Sequence, residues 1–174
     1  MRESQLVAFY RGTGTDHRGR SLADIHAFDF YELEFHHDYI QWLFPLPEPS
    51  GANASAPLLT DDDIASFTSN PALARALRQS LELMLQFYGL ELTACDPGVA
   101  VRKSGHFDER SEWLTRANHN FLRISRILRS LSLLGLKGYA LAFLELLEEI
   151  YVEEPHTIGT TTMGYWRRAT MTRR

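Results

Sequence analysis

At 174 residues, with 44% hydrophobic and 23% charged side chains, the chain has the composition of one soluble globular domain and not of a disordered segment. A formal charge of -4 and a pI near 6.0 give no general attraction to phosphate backbones, which argues against nucleic acid as a partner except through a local patch. The single cysteine, Cys95, excludes an internal disulfide and a cysteine-rich zinc site; with no apolar run long enough for a leader or a transmembrane segment, a cytoplasmic location is expected.

Along the chain, Gln5 to Tyr10 reads as a short helix that Gly12 and Gly14 break, before the charged, turn-like run Asp16-His17-Arg18-Gly19-Arg20. Ser21, with Asp24 three residues on, forms a capping box that starts a helix to about Ala27. From Tyr31 to Phe44, the residues Phe35, His36, Tyr39, Trp42 and Leu43 share one side at helical spacing, and Pro45 stops the run. The spacing predicts one continuous helix. Pro47, Pro49, Gly51, Asn53 and Pro57 then mark an irregular connection pinned by Leu58-Leu59. Thr60 ahead of Asp61, Asp62 and Asp63 places a cap and three acids at a helix start, where the macrodipole favours negative charge, with an end near Thr68. Asn70-Pro71 opens the best-defined helix, on which Leu73, Leu77, Leu81, Met84 and Tyr88 recur every three or four residues up to Gly89.

Thr93 to Gly98 reads as a loop, and Val99 to Gly105 has extended character without an identifiable partner strand. Helical segments are expected from Asp108 to Arg116, from His119 to Leu134 with a stop at Gly135, and from Tyr139 to Val152 with a stop at Pro155. Thr160 to Thr170 is expected as a short last helix with a frayed end. The expectation is an all-α fold: one domain, residues 1–174, forming an irregular or orthogonal bundle of about six to eight helices.

The stretch His37-Asp38-Tyr39-Ile40-Gln41-Trp42-Leu43-Phe44-Pro45 resembles the H-x-Y-I-Q-W-L-F-P signature of the opioid growth factor receptor conserved-region family. Three further blocks follow in the family's order: Ala56-Pro57-Leu58, then Leu83 to Gly89, then His119 to Leu131 with Gly135-Leu136. The resemblance covers roughly Leu6 to Glu149, leaves 155–174 as a tail, and fits a compact microbial member. It implies a receptor-like role, since the vertebrate namesake is regarded as a receptor for an enkephalin-type peptide associated with the nucleus and nuclear envelope. It implies no catalytic residues and no cofactor.

Three groups of residues could carry chemistry. On the helix beginning near His119, about 100° per residue puts His119, Arg123, Arg126 and Ser130 on one stripe with Asn120 and Arg116 beside it. Arginine forks there would suit a phosphate or a carboxylate, and the competing reading is an ion-pair face against Glu145, Glu148 and Glu149. On the signature, His37, Gln41 and Trp42 would either contribute to a ligand site or lock the helix to the proline-rich connection. The glycine-rich basic loop with Arg18 and Arg20 could cradle an anion, although it lacks the G-K-[ST] ending of a P-loop.

Metal binding is not expected: His36 and His37 point about 100° apart on a helix, and no H-x-x-x-H or H-E-x-x-H pair occurs. Neither Cys95 nor any serine sits in a nucleophile motif, and the aromatic-basic tail Tyr165-Trp166-Arg167-Arg168, with Arg173-Arg174, is a short single-strand-binding pattern at a chain end. The preferred reading is a non-catalytic binding module for an anionic small molecule or peptide, with a protein partner as a further option. The alternative is an enzyme acting on a nucleotide or phosphorylated substrate, with His37 or His119 as acid/base and the arginines stabilising developing charge.

Overall fold

In a computed structural model the described residues, 3–171, form ten α-helices, one 3-10 turn and a two-stranded antiparallel sheet. The fold is therefore α+β, which corrects the all-α expectation and its ceiling of eight helices. The chain divides into two compact units, residues 1–81 and 82–174.

The first unit is set up largely by local caps. In α1 (Gln5–Tyr10) the Ser4 hydroxyl accepts the Val7 N–H, and it also donates to Asp63, which ties α1 to α5 (Asp61–Ser69). Reciprocal capping boxes start α2 (Leu22–His26) from Ser21 and Asp24, α3 (Phe30–Phe35) from Asp29 and Glu32, and α5 from Thr60 and Asp63. The expected single helix from Tyr31 to Phe44 is in fact two. His36 is extended at ψ 135°, and α4 (Ile40–Leu43) begins only after Tyr39. The interruption lets Tyr39 fold back so that its hydroxyl donates to the Leu33 carbonyl at 2.8 Å, burying both residues, while Phe35 turns outward. Phe9 and Trp42 meet edge-on at 5.2 Å, Tyr10 and Phe67 at 4.9 Å, and the Tyr10 hydroxyl donates to the Leu43 carbonyl. The proline-rich connection is pinned where the Leu59 N–H donates to the Leu46 carbonyl at 3.1 Å.

Helix α6 (Pro71–Phe87) buries Leu73, Leu77, Leu81 and Met84, as its periodicity predicts, and the division between the units falls within it. In the second unit, Gly89 lies at φ 75°, and a Cβ there would stand 2.8 Å from the Phe107 Cα, so both conformation and space require glycine. Strand β1 (Leu90–Ala94) pairs with β2 (Val99–Lys103), Leu92 opposite Val101, through the Cys95–Gly98 turn. β1 is the partner strand missing from the sequence reading; its apolar-polar alternation, Leu90-Glu91-Leu92-Thr93, falls between the expected helix end at Gly89 and the expected loop from Thr93.

A short helix α7 (Phe107–Arg110) and a 3-10 turn (Ser111–Trp113) lead to α8 (Asn120–Leu133), α9 (Lys137–Glu153) and α10 (Pro155–Thr170), which pack on one another while β2 lies on α9. Tyr88, Trp113, Phe121 and Trp166 form a continuous edge-to-face series, and the Trp166 indole donates to the Phe121 carbonyl at 3.0 Å. The predicted tail is thus a packed helix with Met163 and Trp166 buried, broken at Gly159 where φ is 79°. Met1-Arg2 and the Arg173-Arg174 end of the aromatic-basic pattern lie outside the described residues.

Candidate functional site

The densest polar constellation in the first unit is built from the glycine-rich loop and the signature. Asp16, whose side chain is 0% exposed, organises the loop. Its Oδ1 accepts the N–H groups of Arg18 and Arg20 at 2.8 and 2.9 Å, and its Oδ2 accepts Arg20 Nε at 2.6 Å. An aspartate that satisfies the backbone two residues on is the usual reason for this residue type at the start of a tight turn. Arg20 Nη2 bridges onward to Asp38 Oδ1 at 3.0 Å, while Arg18 Nε pairs with the other Asp38 oxygen. The break between α3 and α4 is what frees Asp38 to meet both arginines.

The electrostatics follow from this closure. Burial would push the Asp38 carboxyl up, but the hydrogen bonds and charges of Arg20 and Arg18 outweigh it and hold the group below the ordinary carboxylate value. Burial works against the Arg20 charge in the same way, and Asp16 and Asp38 more than offset it, so its pKa is raised. Two carboxylates and two guanidiniums leave no net charge in the cluster.

Trp42 joins the same assembly. Its indole N–H, which can only donate, points at His17 Nδ1 at 3.2 Å, so Nδ1 is the unprotonated nitrogen and Nε2–H faces Asp38 Oδ2 at 3.6 Å. The histidine ring also stacks on Trp42 at 6.3 Å. Gln41, buried, donates to the His37 carbonyl at 3.2 Å, and Asn53 of the proline-rich connection donates to the Asp38 carbonyl at 3.2 Å. His37 itself is exposed. Arg18 is the outlying member, its side chain 64% exposed although Nε is held.

In the second unit, Arg123 is buried, and its Nη1 donates to Asn120 Oδ1 at 3.3 Å, an oxygen that Tyr88 also approaches at 3.4 Å. Asn120 in turn donates through N–H and Nδ2 to Asn118 Oδ1 at 2.9 and 3.0 Å. His119 stands at the α8 N-cap without a side-chain capping bond, and it, Arg123 and Arg126 already have partners within the protein. Arg116 is exposed in the approach to α8. Glu148, one of the three glutamates of the competing ion-pair reading, pairs with Arg167 at 2.8 Å. Ser130, at the end of the stripe, is fully buried with no partner for its hydroxyl. The stripe is therefore not an open row of cations.

Asp16, His17, Asp38 and Asn53 are the members of the first constellation that sequence reasoning did not single out. The available signal was charge balance: two acids stood unassigned beside two arginines, one inside the same turn and one inside the signature. Among the described residues no group of three histidine, cysteine or acidic side chains is placed to hold a metal ion, and no helix is long and apolar enough to cross a membrane.

Comparison with known proteins bears on the whole of this region. The family model for the opioid growth factor receptor (OGFr) conserved region matches residues 14–174. The opioid growth factor receptor of Mus musculus is 46% identical over 112 residues, covering 64% of this chain and 17% of that protein. Its counterpart in Homo sapiens is 43% identical over 112 residues, covering 64% of this chain and 16% of that protein. Opioid growth factor receptor-like protein 1 of Mus musculus is 40% identical over 111 residues, 64% of this chain and 23% of that protein. The matched segment thus spans less than a quarter of each of these relatives. No solved structure matches the chain.

Proposed function

The chain belongs to the opioid growth factor receptor conserved-region family, and from that premise we propose that it is a receptor-like, non-catalytic binding module for a peptide that presents a carboxylate. The observation that carries the proposal is Arg18. Its backbone N–H is fixed by Asp16 and its Nε by Asp38, so the guanidinium is held in place while 64% of the side chain faces solvent. A cation positioned in advance loses little rotamer freedom when an anion arrives, and its outer edge matches a carboxylate. His37, exposed and one residue before Asp38, is the second signature side chain proposed to meet the ligand. Arg20, Gln41 and Trp42 act as support: Arg20 and Trp42 hold the loop on the signature, and Gln41 is committed to the His37 carbonyl and to Asn53 of the proline-rich connection. Arg123 and Asn120 belong to the framework of the second unit, with Arg126 and His119 engaged as well, which leaves Arg116 as the exposed cation of that set.

The names of the relatives direct the choice of ligand for the test: an enkephalin-type opioid peptide as its free acid, beside the same peptide amidated at its C-terminus. Calorimetric titration is expected to show binding of the acid, weakened roughly ten- to a hundredfold by amidation or by Arg18→Ala, as loss of a charge-assisted hydrogen bond of about 1.5–3 kcal/mol requires. Arg18→Ala is expected to keep the fold, since Arg20 still pairs with Asp38, and circular dichroism melting checks it. Equal affinity for acid and amide, or no binding by the wild-type protein, would remove the carboxylate reading.

A further inference from the structure

The outer face of α3 carries a feature that the loop-signature cluster does not use. Tyr31 and Phe35 are 72% and 62% exposed, one helical turn apart, with rings nearly parallel at 12° and centroids 5.8 Å apart. The aromatic surface continues inward: the edge of Phe35 meets His36 at 5.4 Å, and His36 lies against Phe28 at 5.3 Å. Two large rings stacked in solvent keep most of their area wet, and a contiguous exposed apolar patch is a candidate interaction site. Large rigid rings are also the side chains that most often anchor a protein interface.

The charged groups on α3 and its N-cap are all acidic, while at the inner end the Arg20 guanidinium lies over Phe28 at 5.7 Å. Asp29 Oδ1 accepts the Glu32 N–H at 2.8 Å and Glu32 Oε2 accepts the Asp29 N–H at 2.9 Å, so the capping box consumes one oxygen of each carboxylate and leaves the other outside it. Neither α3 nor its N-cap contains a lysine or arginine, and Glu34, which has a partner within the protein, is a third acid on the helix. An aromatic face presents negative charge to a cation placed over it, and flanking carboxylates strengthen that field. The same acids oppose both a second acidic copy of this chain and an anionic lipid surface.

We propose that the Tyr31–Phe35 ledge docks a basic segment of a partner protein, with an arginine or lysine laid over the stacked rings, its charge met by Asp29 and Glu32, and an adjacent apolar side chain beside Phe35. The site is independent of Arg18, so the carboxylate reading and this one stand or fall separately.

Fluorescence anisotropy with a labelled peptide of alternating arginine and leucine tests it, beside the same peptide with glutamine for arginine. Wild-type protein is expected to bind the arginine peptide and not the glutamine one, and Tyr31→Ala/Phe35→Ala to weaken binding by roughly tenfold or more. Asp29→Asn/Glu32→Gln keeps acceptors in the cap while removing both charges, and is expected to weaken binding several-fold and flatten its salt dependence. Arg18→Ala is expected to bind the arginine peptide as wild type does. Circular dichroism melting of each variant near the wild-type midpoint shows that the exposed changes left the fold alone. Binding unchanged in the aromatic double variant overturns the proposal. So does an aromatic-dependent association of the protein with itself or with phosphatidylcholine vesicles in place of the basic peptide.

Discussion

Replacing Asp16 with asparagine tests the account of the loop most directly. The carboxylate is wholly enclosed and accepts the backbone N–H groups of Arg18 and Arg20 on one oxygen and the Arg20 guanidinium on the other, with Nε and Nη2 each at 2.6 Å. Asparagine can preserve the backbone pair through its carbonyl, but its amide then turns N–H donors toward guanidinium N–H donors. Two charge-assisted bonds are lost, each of about 1.5–3 kcal/mol, and a partly buried guanidinium is left with Asp38 alone; relief of the buried carboxylate offsets part of the loss. The expected destabilisation is about 3 kcal/mol, well above the ~0–1 kcal/mol typical of a solvent-exposed ion pair. Urea unfolding followed by circular dichroism measures it, and a cycle with Arg20→Gln isolates the coupling, expected at about 2 kcal/mol. A loss below about 1 kcal/mol for Asp16→Asn would refute the claim that the ion network holds the loop in place.

Ser130→Ala is expected to raise stability by about 1 kcal/mol, because a buried hydroxyl without a partner is removed and alanine is the better helix former; a melting temperature at or below that of wild type would show that the hydroxyl is satisfied. His26, half-buried with Nε2 2.9 Å from Ser80 Oγ, has its pKa pushed down by desolvation from the ordinary 6.5. Its neutral form is therefore the native one, and its contribution is complete above the unfolded value near 6.5 and is lost as pH falls through the lower folded value. Urea midpoints are accordingly expected to fall more steeply as pH drops below about 6.5 for wild type than for His26→Gln, and parallel profiles would contradict this.

Where a few neighbouring residues decide the outcome, the sequence was a sufficient guide. Ser21 with Asp24 and Thr60 with Asp63 satisfy one another's backbone groups within a single turn, so their helices start where the cap residues stand. The 3.6-residue spacing from Leu73 to Met84 likewise predicts a buried face irrespective of what covers it. Between Tyr31 and Phe44 the same kind of periodicity misled, because it cannot register that Asp38 finds two arginines about twenty residues upstream, or that the Tyr39 hydroxyl reaches back to Leu33. Strand β1 was lost for a related reason: five residues of alternation acquire meaning only once a second strand pairs with them.

The candidate site divides along the same line. The signature, the glycine-rich loop and the arginines were legible as residues, and the family they announce is the one the comparisons return. Which arginines face solvent was not legible, since Arg18 and Arg123 carry the same charge in sequence, yet one stands 64% exposed and the other is buried against Asn120. Composition, caps and helical period are local quantities and survive in any context. The pairing of strands, the break that releases Asp38 and the burial of a cation depend on contacts between residues far apart in the chain, whose energies exist only after tertiary packing has brought them together.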